Sequence, residues 1–135
     1  MLANGAKEFF KKAKIFTLDI DVHSGADFIA DLCEDNSDKI PSNYFDIIIC
    51  TEVLEHTLNP FNAVKELHRI LKPQGKVFVS TPFNFRIHGP LPDCWRFTIH
   101  GLNSLFSSFN SVVIEEIVTE DRFLMPIHYR TLATK

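Results

Sequence analysis

Residues 44–82 read YFDIIICTEVLEHTLNPFNAVKELHRILKPQGKVFVSTP, and this stretch decides the fold. Asp46 to Cys50 is a continuous apolar run of strand length, the pattern of a parallel strand buried on both faces. Asn59 is a good N-cap and Pro60 fits the first helical position, where no amide proton is needed. Phe61, Val64, Leu67, Ile70 and Leu71 then recur at three- and four-residue spacing and make one apolar stripe, so a helix is expected over 60–72. Pro73 and Gly75 stop it, and Lys76 to Ser80 gives the next buried strand. Strand, crossover helix and strand of these lengths form a right-handed βαβ unit. Ligands of such sheets bind outside the carboxyl ends of the strands, which puts Thr51 to His56 and Thr81 to Arg86 at a potential site.

Outward from this core, the spacing predicts a helix over 6–13 anchored by Phe9 and Phe10, strands over 14–19 and 27–31, a helix over 99–108 and a strand over 111–118. Thr98 is the N-cap of the later helix, and Ile99, Leu102, Leu105, Phe106 and Phe109 lie along one side of it. Glu115 and Glu116 suggest that the 111–118 strand is exposed or at an edge. Beyond Asp121 the reading is ambiguous: Phe123 to Met125 could start a strand, with Pro126 allowing an edge position at best. About seven residues separate the strands ending at Asp19 and starting at Asp27, and spacing alone reads HSG (23–25) as a hairpin turn.

The order of YFDIIICTEVLEH, NPFNAVKELHRILKPQGKVFVSTP and HGPLPDCWRFTIHGLNSLF resembles the second half of class I S-adenosylmethionine-dependent methyltransferases. TLDI (17–20) and ADFIADL (26–32) are similar to that family's second and third strands, so the resemblance covers roughly residues 14–118. It implies an α/β, Rossmann-like, doubly wound and mostly parallel sheet, with a last strand antiparallel to its neighbours. It also favours a shortened parallel crossover over the hairpin at 23–25. The chain reads as a single domain over 1–135 in which the family's first strand and G-x-G-x-G turn are missing, since MLANGAKEFFKKAK holds only Asn4–Gly5 as a hint of such a turn. An absent central strand leaves two expectations: TLDI pairs directly with DIIIC and shrinks the cofactor cleft, or a second copy covers the exposed surface as a homodimer.

Composition narrows the function. With 135 residues and 45% of them apolar, thirteen of them phenylalanine, the chain can bury a real core. A net charge of −3 gives no electrostatic case for nucleic acid. No apolar run reaches the length of a membrane span and no signal peptide is evident, so a cytoplasmic protein is the default expectation. Cys33, Cys50 and Cys94 show no C-x-x-C spacing, and Cys33 and Cys50 read as core thiols.

By resemblance the cofactor is S-adenosyl-L-methionine. Asp19 maps onto the ribose-binding acid, with Asp21 as its substitute; the alternative is a loop aspartate capping its own backbone. Asp31 and Leu32 stand where family members contact adenine, and Thr51 and Glu52 where the methionyl group rests. His56 and His88 are the catalytic candidates, because an imidazole titrates where a general base is useful; for His56 the favoured alternative is a structural role, fixing the loop before Asn59. E-x-x-E-H (52–56) resembles the inverted zinc motif H-x-x-E-H, but position 52 is Glu rather than His, so no metal is expected. Asp93, Trp95 and Arg96 are the acceptor-binding candidates, in a loop that either lines a pocket or packs down, with Trp95 and Phe97 as anchors and Arg96 paired to an acid. His23, His68, His100 and His128 read as surface residues. The acceptor itself, a small molecule or glycan-type compound, is set by loops and is not legible. A non-catalytic remnant or dimeric interaction module is the competing reading.

Overall fold

A computed structural model of the chain describes Phe10 and residues 12–135, so most of the helix expected over 6–13 lies outside the described residues. The chain falls into two compact units, Met1–Asp31 and Leu32–Lys135.

In the first unit, β1 (Leu18–Asp19) pairs with β2 (Phe28–Ile29) in parallel, Leu18 opposite Phe28 and Asp19 opposite Ile29. The shortened parallel crossover is therefore present, and the hairpin that spacing suggested is not. Side chains replace the missing length: Asp27 Oδ2 accepts from Thr17 N at 2.7 Å and from Thr17 Oγ1 at 2.9 Å. Asp21 starts the turn by accepting from His23 N, and Gly25 completes it at φ +72°, where a Cβ would be strained. The two strands are shorter than the expected 14–19 and 27–31.

The second unit is built on a four-stranded sheet in the order β3-β4-β6-β5, with β3 at Phe45–Thr51, β4 at Leu71–Pro82, β5 at Ser111–Ile117 and β6 at His128–Thr134. β3 and β4 are adjacent and parallel, Ile48 opposite Val77 and Cys50 opposite Val79. β6 runs antiparallel to both β4 and β5, so β3, β4 and β5 share one direction. The pairing of TLDI with DIIIC is not formed: the ladder partner of β1 is β2, and that of β3 is β4.

Helix α1 (Pro60–Ile70) connects β3 to β4, with Asn59 Oδ1 accepting from Asn62 N at 3.1 Å as the cap. It buries Pro60, Ala63, Val64, Leu67 and Ile70, while Phe61, expected on the apolar stripe, is 61% exposed. Ile70 is the last helical residue, because Leu71 is already extended and enters β4 opposite Phe45. The next four residues bulge before Lys76 rejoins the ladder opposite Ile47. Gln74 turns the bulge at φ +65°, and a Cβ on Gly75 would stand 2.8 Å from Lys72 O, so only glycine fits there. Helix α2 (Ile99–Leu105) is capped by Thr98 and is shorter than the expected 99–108; Phe106 and Phe109 still pack into the core.

Successive strand residues face opposite sides. Val77, Val79 and Thr81 share a face with Cys50, Tyr129, Thr131 and Ala133, and all are buried. The other face carries Ile49, Phe78, Leu132 and Val113 in one row, and Ile49, Leu132 and Val113 are exposed. β3 is thus buried on one face, not on both as expected: Ile47 is 55% exposed. β5 is an edge strand, as its glutamates suggested. The last strand begins at His128 rather than at Phe123 and lies inside the sheet. Pro126 precedes it and so costs no ladder bond, while Phe123 and Leu124 are exposed.

Candidate active site

At the carboxyl end of β3 the chain makes a sharp turn at Glu52 (φ +54°) and then a single 3₁₀ turn, Leu54–His56. Leu54 is fully buried and pins this turn to the core. The loop from β4 to α2, which contains two cis prolyl peptides at Pro90 and Pro92, folds over it. Cys94 N and Trp95 N both donate to Glu55 O, at 2.7 and 3.1 Å, and Trp95 Nε1 donates to Thr57 O at 2.7 Å. Within the loop, Arg96 grips Asp93 through both guanidinium nitrogens, with Nη2 to Oδ2 at 2.7 Å, and also donates to Arg86 O. Of the packed-down arrangement, Phe97 is buried and Arg96 is paired to an acid as expected, while Trp95 stays 41% exposed with its ring stacked on Phe97 at 6.3 Å.

This stitching brings His56 and His88 together, their rings edge to face at 4.9 Å. His56 Nδ1 lies 2.9 Å from Pro92 O. A carbonyl can only accept, so Nδ1 carries a proton and Nε2 is the nitrogen left for a ligand or substrate. His88 Nδ1 stands 3.1 Å from Asp93 Oδ2, at ion-pair distance but without the alignment of a hydrogen bond; the same oxygen accepts from His88 N at 2.9 Å. The Arg96 guanidinium holds the Asp93 carboxyl well below the usual carboxylate range, so it is ionised. Both Nε2 atoms face Glu55 Oε1, His56 at 3.8 Å and His88 at 3.7 Å.

Glu55 is 0% exposed, and among the described residues neither of its oxygens accepts a hydrogen bond. Burial pushes its pKa up and Glu52 adds to the rise, against the backbone amide, His56 and His88. Glu52 accepts from Ser80 Oγ at 2.6 Å and lies 3.1 Å from His128 Nε2. Phe85 bridges the two histidine sites, 5.4 Å from His88 and 5.5 Å from His128.

His56, His88, Asp93, Trp95 and Arg96 are thus brought into one neighbourhood, while Thr51 is exposed at the end of β3 and Leu32 is buried. In the first unit, Asp19 is exposed at the end of β1, and its Oδ1 accepts from Asp21 N at 2.9 Å, the backbone-capping arrangement weighed above. Asp31 is half-buried. Glu55 and His128 were not among the expected site residues. The E-x-x-E-H pattern contained a signal for Glu55, whereas nothing local marks His128, which meets Glu52 across 76 positions of sequence.

Residues 3–116 match the family described as "Methyltransferase domain". The ubiquinone biosynthesis O-methyltransferase of Pseudomonas syringae pv. tomato is 42% identical over 48 residues, which is 36% of this chain and 20% of that protein. The chain therefore spans about a fifth of the length of the curated relatives it matches. Among solved structures, a SAM-dependent methyltransferase from Archaeoglobus fulgidus superposes with a TM-score of 0.64 at 16% identity, covering 87% of this chain and 74% of that one. The trans-methyltransferase CalH, in complex with SAH, superposes at 0.63 and 16% identity, covering 78% and 34%. With a family match over most of its length and a sheet of this order, the chain belongs to the methyltransferase domain family and has the Rossmann-like class I fold of S-adenosylmethionine-dependent enzymes.

Proposed function

We propose that this domain serves S-adenosylmethionine-dependent methyl transfer to a small-molecule or glycan-type acceptor held over the carboxyl ends of β3 and β4. The observation that carries the reading is the convergence of Glu55 and the Nε2 atoms of His56 and His88 at the strand ends of a methyltransferase domain. Each unit offers groups that suit the cofactor in kind: in the first, Asp19 presents an exposed carboxylate suited to ribose hydroxyls, with Asp21 next to it in sequence; in the second, Thr51 presents an exposed hydroxyl suited to the methionyl end. Asp31 and Leu32 are assigned to adenine. Glu52 serves the methionyl end by fixing the turn after Thr51, given its bonds to Ser80 and His128. When bound, the cofactor supplies an electrophilic methyl on sulfur. The chain's part is to align the acceptor, exclude water and accept a proton where one must leave. His56 and His88 stand on that side, and Asp93, Trp95 and Arg96 shape the loop that covers it.

Transfer of a labelled methyl group from S-adenosylmethionine to a panel of hydroxylated acceptors tests this. The expected loss in His56→Ala or His88→Ala is about a hundredfold or more, the usual scale of a proton-transferring group. Transfer unchanged in both variants would remove these histidines from the chemistry.

A further inference from the structure

We propose that Glu55, His56 and His88 form a binding site for a divalent transition-metal ion. The inference rests on reading this cluster as the acceptor side of the site, and it gives the two imidazoles a more definite task than free bases have. Each residue offers one ligand atom, and the three atoms lie within 4.8 Å of one another. Two neutral imidazoles and one carboxylate are the donor set of open catalytic sites for zinc and its first-row neighbours. Metal–ligand bonds of about 2.0–2.1 Å in tetrahedral geometry put ligand atoms about 3.4 Å apart. The Glu55 Oε1 separations of 3.7 and 3.8 Å need a few tenths of an ångström of closing, and the separation of the two ring nitrogens, within 4.8 Å, up to about 1.4 Å.

Two further features point to an ion. Glu55 is completely buried and, among the described residues, neither oxygen accepts a hydrogen bond, a costly state for a carboxylate that a cation would relieve. Behind the cluster, His56 Nδ1 is held by Pro92 O, and Asp93, itself locked by Arg96, stands 3.1 Å from His88 Nδ1 without the alignment of a hydrogen bond. For His56 this outer support fixes ring orientation and tautomer, as it does for metal-bound histidine. The His56 and His88 side chains retain 14% and 21% exposure. The sequence argument against a metal turned on Glu52 at the first position of E-x-x-E-H. In the folded chain Glu52 is engaged by Ser80 and His128, and the third ligand comes instead from His88 in the covering loop. Three protein ligands leave positions for an acceptor oxygen, whose hydroxyl would lose its proton to water more readily on the ion.

Calorimetric titration of the chelator-treated chain with Zn²⁺, alongside the visible spectrum of the Co²⁺-loaded form, tests the site. The expected result is one ion per chain and a nitrogen–oxygen Co²⁺ spectrum. Affinity should fall about a hundredfold or more in His88→Ala and in Glu55→Gln, and stay unchanged in the exposed-surface control His100→Ala, with circular dichroism confirming that each variant is folded. Absence of Zn²⁺ binding below about 0.1 mM by the folded wild-type chain would overturn the proposal. So would binding undiminished in both folded variants, or, if neither variant folds, a Co²⁺ spectrum without nitrogen ligation. S-adenosylhomocysteine is titrated into the same samples. Cofactor binding without metal removes this inference alone, whereas metal binding without cofactor removes the methyl-transfer reading and leaves the ion site.

Discussion

At the scale of single residues, burial separates the three thiols more sharply than their sequence contexts do. Cys50 lies on the packed face of β3, and burial, reinforced by Glu55, pushes its pKa up to about 12. At pH 8 only about one part in ten thousand of such a thiol is thiolate, the reactive form. Cys94 is exposed in the covering loop, and Cys33 is half-buried against the backbone of Asn59. An Ellman titration at pH 8 is expected to count Cys94 first and to reach Cys50 only after denaturant is added. Reaction of Cys50 at the rate of Cys94 in the native protein would contradict the packing of β3. Of the two expected core thiols, Cys50 is fully buried and Cys33 only partly so.

At the scale of elements, the strand–helix–strand unit was legible because cap and periodicity agreed. Asn59 and Pro60 act as cap and first helical residue, whereas the helix ends at Ile70, ahead of Pro73 and Gly75, which lie in the bulge of β4. The error within the helix was Phe61, which satisfied the spacing but lies outside the arc through Ala63, Val64, Leu67 and Ile70. Stability measurements separate the two positions. Leu67→Ala should cost about 2–5 kcal/mol, the range for a buried leucine, and Phe61→Ser about 0.5 kcal/mol or less. Comparable costs at both positions would mean that the helix is rotated from this description. Strand β6 was misread for a different reason. Its inward positions are Tyr129, Thr131 and Ala133, a weak apolar signal, and its stability comes from antiparallel ladders on both sides that no local pattern reveals. The site shows the same division. Glu55 and His56 were visible as neighbours in E-x-x-E-H, but the position of His88 beside them depends on how residues 83–98 fold back over the 3₁₀ turn.

At the scale of the whole molecule, the reversal of the last strand, β6, against its neighbours is what the family resemblance foresaw, whereas its place between β4 and β5 was not among the expectations. Among the described residues, no helix is long and apolar enough to cross a membrane. The functional reading requires the domain to hold the cofactor, and calorimetric titration with S-adenosylhomocysteine tests that most directly. The account predicts saturable binding of one molecule per chain, weakened about tenfold to a hundredfold in Asp19→Ala, because hydrogen bonds to a carboxylate contribute roughly 1.5–3 kcal/mol. A folded chain that shows no binding at millimolar S-adenosylhomocysteine would contradict it.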